Sequence, residues 1–304
     1  MKLLVALMAV CAMSTAACSG ISKHVEVPPI ATPDADQLRA LFAIPVELGA
    51  PAQPVLQRFA LIGDWGEGTA AQSRIAEIMC AVRQSQPFTY ILTVGDNFYS
   101  PDGKATDDNY YAPERCLYSY PGNQWRAAWG NHDTDGDSTG SVLGAPEGPR
   151  YYTWTAGDIA FFVYDGNLAD GRQKQWLRNE VCGSNAKVKI IYGHQPAYSP
   201  GPHGSEAAVQ AMVAPVARDC GAQLVLAGHD HLYSRSKPVD GVTYVVSGGG
   251  GGVLYDCETS PSWLQLCLSK AHFLLLEETA TAIKVQAIGL DGAAIDSFEL
   301  PISR

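Results

Sequence analysis

Five short apolar runs in this chain each end in a glycine, followed at once by a side chain that can bind a metal or move a proton. Phe59 to Ile62 leads through Gly63 to Asp64. Tyr90 to Val94 leads through Gly95 to Asp96, with the Tyr99 phenol three residues on. Trp125 to Trp129 leads through Gly130 to Asn131 and His132, and Lys189 to Tyr192 leads through Gly193 to His194. Leu224 to Ala227 leads through Gly228 to His229, Asp230 and His231. Turn chemistry explains glycine, aspartate and asparagine at strand ends, but not four imidazoles at equivalent places. Carboxylate, amide, phenol and imidazole together suit a dinuclear first-row metal site better than a structural zinc, which takes four Cys and His ligands. His229 and His231 are two apart, so an extended segment sends both imidazoles to one face and Asp230 to the other. Asp96, central among the strand ends, is the natural bridge between ions about 3.5–4 Å apart.

Such ligands belong just past the carboxyl ends of strands in an open α/β sheet, and the intervening sequence supplies that framework. Ala70 to Gln84 carries Ile75, Ile78, Met79 and Val82 at helical spacing. Asp170 to Asn179 and Glu206 to Arg218 are further helices, Arg150 to Thr155 and Ile159 to Tyr164 a strand pair, and Gly241 to Ser247 another strand. His272 to Glu277, Ala282 to Ile288 and Ile295 to Leu300 alternate like antiparallel strands, with Asp291-Gly292 as a hairpin turn. The expected fold is α/β: two mixed sheets face to face in a four-layer αββα sandwich, with the dinuclear metal site at the strand C-terminal ends. Asp102 to Pro121 reads as an irregular surface excursion held by Cys116. Asp133-Thr-Asp135-Gly-Asp137 opens like a calcium-binding loop but lacks its later ligands, and reads as a solvated turn. Gly248 to Gly252 has no Lys-Ser/Thr after it, so it is not a nucleotide P-loop. It reads as a flexible loop that lets backbone pass close to the site.

At 304 residues, 46% hydrophobic and 17% charged, the chain can bury one substantial core. Its 21 Lys and Arg against 31 Asp and Glu give a net charge of −10, with no basic run. That argues against a nucleic-acid partner, but not against a phosphate substrate, because bound cations invert the local field. Lys2, the apolar run Leu3 to Met13 and the small residues before Cys18 form an export signal too short to span a bilayer. The junction Ala-Ala17-Cys18-Ser-Gly resembles a bacterial lipoprotein signal, in which Cys18 carries the lipid. Residues 1–17 are thus expected to be a signal peptide, 18–55 a flexible Pro/Ala/Asp-rich tether with a short helix near Gln37 to Phe42, and 56–304 the catalytic domain. Cleavage leaves seven of the eight cysteines, and lipidation of Cys18 leaves an even six for disulfides in an oxidising compartment. Several pairings are possible. The sequential one is the expectation, with Cys257–Cys267 the closest in sequence.

The set Gly-Asp64-Trp-Gly, Gly-Asp96-Asn-Phe-Tyr99, Gly-Asn131-His132-Asp, Gly-His194-Gln-Pro and Gly-His229-Asp-His231 resembles the calcineurin-like metallophosphoesterases. Tyr99 resembles the purple acid phosphatase branch, in particular the small tartrate-resistant type. The resemblance covers roughly Phe59 to Ser247. It implies that Asp64, Tyr99 and His231 hold Fe(III), that Asp96 bridges, and that Asn131, His194 and His229 hold a divalent Fe, Zn or Mn. His132 and His203 match the histidines that bind phosphate and assist the leaving group, whereas His24 and His272 match nothing. The implied activity is hydrolysis of phosphate monoesters, by in-line attack of metal-activated hydroxide. A phenol with a pKa near 10 binds a divalent ion poorly at low pH, and a trivalent ion can deprotonate it. The expected partners are a small phosphorylated substrate and, through the Cys18 lipid, a membrane. A monomer in the periplasm or at the cell surface is expected. Two alternatives stand beside this reading. One is a phosphodiesterase or nucleotidase on the same scaffold, and the other a metal-stabilised, phosphate-binding surface lipoprotein without catalysis.

Overall fold

The computed structural model describes residues 53–302 except 135, 137 and 147. The expected signal peptide, Cys18, nearly all of the expected tether and the short helix expected near residue 40 lie outside the described residues. Val55–Ile62 (β1), Tyr90–Thr93 (β2) and Gln124–Ala127 (β3) are parallel neighbours. Their sheet continues on the other side of β1 with three antiparallel strands, His272–Thr279 (β11), Ala282–Gly289 (β12) and Ala294–Pro301 (β13), in the order β13-β12-β11-β1-β2-β3. The second sheet has a parallel centre of Ile159–Val163 (β5), Val188–Tyr192 (β6), Leu224–Ala227 (β7) and Thr243–Ser247 (β9). Tyr152–Ala156 (β4) closes one edge, and Tyr233–Ser236 (β8) with Leu264–Leu268 (β10) extends the other.

Alternation along the strands explains the layers. Phe59 and Leu61 of β1 point between the sheets, with Phe161, Ile190, Leu226, Leu274 and Leu276. Ala60 and Ile62 point outward and pack under Ile75, Met79 and Val82 of the helix Ala70–Ser85 (α1). On the second sheet, Phe162, Ile191 and Val225 face Leu177 and Val181 of the helix Gly171–Gly183 (α2) and Val209 and Val213 of Ala207–Asp219 (α3). The result is the four-layer αββα sandwich. Three disulfides join Cys80–Cys116, Cys182–Cys220 and Cys257–Cys267, the sequential pairing.

Four expectations need correction. The excursion after Asp102 is more regular than its composition suggests. It holds a π-helical turn at Asp107–Tyr111, capped reciprocally by Thr106 and Asn109, and a helical turn at Arg115–Tyr118. The acidic loop is not simply solvated: Asp133 is buried, for reasons given below. The glycines 248–252 are buried and packed, not flexible, because Gly250 N–H donates to Gly63 O and Gly252 N–H to Asp64 O. A side chain at Gly252 would strike His231, so close approach is why they are glycines. Finally, His229 and His231 do not sit on an extended segment, since His229 is left-handed at φ 72°.

Candidate metal centre

The turns after β1, β2 and β3 and those after β6 and β7 meet at one end of the sandwich. Those after β1 and β2 are zipped together, Asp64 N–H donating to Gly95 O at 3.1 Å and Trp65 N–H to Asp96 O at 3.2 Å. Among the described residues, Asp64, Asp96, His229 and Asp240 are the non-glycine residues with clearly positive φ. Left-handed backbone costs such residues roughly 1–2 kcal/mol each, and three of the four are candidate ligands. The preceding glycines have a steric cause. A Cβ on Gly130 would collide with the Asp96 carboxylate, one on Gly228 with the Asp64 carboxylate, and one on Gly95 with the His194 ring. The glycine-then-ligand pattern is therefore the mark of ligands crowding over neighbouring turns.

The ligand atoms fall into two groups. In one, His231 Nε2 lies 3.0 Å from the Tyr99 hydroxyl and 3.6 Å from Asp64 Oδ1. In the other, His194 Nε2 lies 3.1 Å from Asn131 Oδ1, 3.2 Å from His229 Nδ1 and 3.3 Å from Asp96 Oδ2. Donor atoms of Asp64, Asp96 and His194 all lie within 4.8 Å of one another, linking the groups. Nδ1 of His194 donates to Val94 O at 2.9 Å, and Nδ1 of His231 to Val253 O at 2.8 Å. Those carbonyls fix the tautomer that turns an Nε2 lone pair into the cluster. Asp64 accepts the His229 N–H on both oxygens at 3.0 Å, and Asp96 Oδ1 accepts the His132 N–H at 3.0 Å.

Burial shapes the electrostatics. It raises the Asp64 pKa well above the carboxylate range. On Asp96 burial acts the same way, but the His194 imidazole outweighs it and holds the carboxyl below its usual value. His194 resists charge because it is buried, yet Asp96 and Asp64 carry its pKa up to about 10. His229 is driven down to about 3 by burial and the neighbouring His194, and burial also lowers His231. Tyr99 is pushed far up by burial and the two aspartates. The imidazoles are thus pulled apart, His194 toward the charged form by its two carboxylates, and His229 and His231 toward the neutral form whose ring nitrogens can accept a cation.

The oxygen-donor turns rest on one network. Asp133 Oδ1 accepts the Asn97 N–H at 2.9 Å and the Phe98 N–H at 3.2 Å. Its Oδ2 accepts Asn97 Nδ2 at 2.9 Å and the Gly130 N–H at 2.7 Å. Asn97 Nδ2 also donates to Ala128 O at 2.9 Å, and its Oδ1 accepts Trp65 Nε1 at 3.2 Å. Burial raises Asp133 to about 6. Neither role is readable from sequence, where both residues pass as turn formers. At the rim, His132 is exposed and its ring lies tilted against that of Tyr99, with centroids 4.5 Å apart. The half-exposed His203 ring lies 4.2 Å from that of His229. Tyr255, absent from the sequence reading, lies flat on His231 at 4.3 Å and 5.4 Å from His203. Only its placement after the packed glycines could have pointed to it.

The calcineurin-like phosphoesterase family model matches residues 57–233. Purple acid phosphatase 17 of Arabidopsis thaliana is 26% identical over 251 residues, covering 71% of this chain and 74% of that protein. Human tartrate-resistant acid phosphatase type 5 is 25% identical over 244 residues, covering 66% and 74%. The structure of a purple acid phosphatase from yellow lupin (Lupinus luteus) seeds superposes with a TM-score of 0.69 at 16% identity, over 83% of this chain and 55% of that one.

Proposed function

Because the chain belongs to the calcineurin-like phosphoesterase family and is a phosphoester hydrolase, we propose that it is an acid phosphatase acting on phosphate monoesters. Relatives at about 25% identity support dimetal phosphatase chemistry at the family level. The narrower reading is carried by the Tyr99 hydroxyl, 3.0 Å from His231 Nε2 and inside the ligand cluster. The donor set fits two ions: Asp64, Tyr99 and His231 suit Fe(III), Asn131, His194 and His229 a divalent Fe, Zn or Mn, and Asp96 the bridge. Bound there, such a pair would supply Lewis acidity and lower the pKa of water. His132, beside the ligands and open to solvent, is suited to a phosphoryl oxygen. His203, its Nδ1–H tied to protein, would as the imidazolium give its Nε2 proton to the departing alkoxide. Three disulfides suit an oxidising compartment, in keeping with export and lipidation at Cys18.

The test compares 4-nitrophenyl phosphate with bis(4-nitrophenyl) phosphate on protein loaded with iron and zinc. The monoester is expected to turn over faster, and the oxidised protein to show a visible charge-transfer band that Tyr99→Phe removes. Preference for the diester by a colourless protein would replace this reading with the phosphodiesterase one. Phosphate binding without turnover would leave the binding lipoprotein.

A further inference from the structure

Asp230 lies between two candidate ligands in sequence, yet its side chain takes no part in their cluster. It is fully buried and turned the other way, into the loop from Gln195 to Ser205. Its Oδ1 accepts both the backbone N–H and the ring Nδ1–H of His203, each at 3.0 Å, and its Oδ2 accepts the Ser199 hydroxyl. Ser199 Oγ in turn accepts the Gly201 N–H at 3.2 Å, and Ser199 N–H donates to Ser205 Oγ at 3.1 Å. A Cβ on Gly201 would collide with the Asp230 carboxylate, so loop backbone lies directly against it.

Three features separate this contact from ordinary loop anchoring. A carboxylate that accepts from both the amide and the ring of one histidine fixes its place and its rotation together. Acceptance from Nδ1–H selects the tautomer whose Nε2 is the free nitrogen. Moreover, Asp230 is covalently continuous with His229 and His231, so the His203 ring is indexed to the ligands themselves. Productive geometry must hold to about 0.5 Å, and an exposed loop histidine has no such precision of its own.

We propose that Asp230, braced by Ser199, is the positioning residue that holds His203 with Nε2 presented to the leaving group. The idea rests on the donor role given to His203 above. The carboxylate touches no substrate and acts only through the imidazole. Ser199 keeps the second carboxylate oxygen occupied, so that Asp230 cannot rotate away.

Two measurements test it. Nitrogen-15 NMR of the metal-free protein, above the ordinary histidine range, should show His203 as the Nδ1–H tautomer. Asp230→Asn should shift it toward the Nε2–H form, and Ser199→Ala should do so in part. Turnover by metal-loaded protein is then compared on 4-nitrophenyl phosphate and phenyl phosphate, whose leaving group is poorer. Asp230→Asn should lower kcat on phenyl phosphate by at least about tenfold more than on 4-nitrophenyl phosphate. KM and metal content should hold. Added to His203→Ala, it should cause no further loss, since the two residues act as one unit. Losses that multiply, or that are equal on both esters, overturn the proposal, as does an Nε2–H tautomer in the unmodified protein. If Asp230→Asn fails to fold, Ser199→Ala and the tautomer of the unmodified protein still decide. His203→Ala that is silent on both esters, with the tautomer as expected, strikes instead at the donor assignment.

Discussion

The two sheets divide the candidate ligands by chemistry. The sheet built on β1, β2 and β3 delivers oxygen donors: Asp64, Asp96, Tyr99 and Asn131. The sheet built on β6 and β7 delivers nitrogen donors: His194, His229 and His231. They are also braced differently. The oxygen turns are tied to one another by a buried Asn97–Asp133 knot. The imidazoles are tied one by one, His194 reaching across to Val94 O of the first sheet and His231 to Val253 O in the glycine segment. Neither sheet holds the complete candidate set, so the cluster exists only where they meet, and ions bound there would cross-link the sandwich. Metal binding and sheet packing are thermodynamically linked.

Asp96→Asn attacks that division most directly. Asp96 is the carboxylate nearer His194, with Oδ2 3.3 Å from Nε2 against 4.0 Å for Asp64 Oδ1. The amide keeps the shape but loses the charge suited to two cations. Supporting partners of metal ligands cost roughly 10–100-fold when removed, so loss of a shared ligand should cost at least about 10³-fold in kcat/KM. Both ions should be retained poorly. Metal analysis after dialysis, alongside turnover, checks this. A variant that keeps both ions and much of its activity would show the sheets to be joined by some other residue.

Asn97→Ala leaves every ligand in place and cuts only the knot beneath the oxygen donors. It removes the side-chain bonds to Asp133, Ala128 and Trp65, leaving part of a buried carboxylate without partners. Metal affinity should fall by as much as about 100-fold, with roughly 1–3 kcal/mol lost from stability. Isothermal titration with zinc and urea unfolding of the metal-free protein measure the two effects. Because the imidazoles have no such common knot, single cuts on that side should each be milder. Equal sensitivity on both sides would erase the contrast.

The same contrast explains what the sequence made legible. Apolar runs ending in glycine and a ligand stand out because sheet burial and close approach act on neighbouring residues. Thus Gly63-Asp64, Gly95-Asp96, Gly193-His194 and the strands leading to them could be read directly. The knot could not, since Asn97 and Asp133 meet across 36 residues and each alone is ordinary turn chemistry. Asp230 and Tyr255 were hidden likewise, because their partners come from distant loops. β8 and β10 escaped notice because Tyr-Ser-Arg-Ser and Leu-Gln-Leu-Cys-Leu are short edge-side strands with little apolar contrast. The glycine segment misled for a different reason. Glycine permits flexibility, but here five of them are required by crowding against Gly63, Trp65, Asp230, His231 and His272.

A smaller effect sharpens the comparison at a second seam, where the sheets meet without ligands. His272 of β11 is fully buried, with Nε2 3.0 Å from Ser247 Oγ of β9 and Nδ1 donating to Lys270 O at 2.8 Å. Burial lowers its pKa from 6.5 to about 4, the Lys270 carbonyl opposing this only in part. The folded protein thus holds a neutral imidazole that the unfolded chain protonates near pH 6.5. With the folded value depressed, this contribution is fully present above the unfolded value and is lost as pH falls toward the folded one. Between about pH 7 and 5 the loss should be on the order of 2 kcal/mol, a factor of about 30 in the folding equilibrium. Urea unfolding of metal-free protein and of His272→Gln across that range isolates the term, since the other titrating groups are common to both. The unmodified protein should lose more stability on acidification than the variant. Parallel pH profiles would mean that folding leaves the His272 pKa where it lies in the unfolded chain, so that burial does not hold the imidazole neutral at this seam.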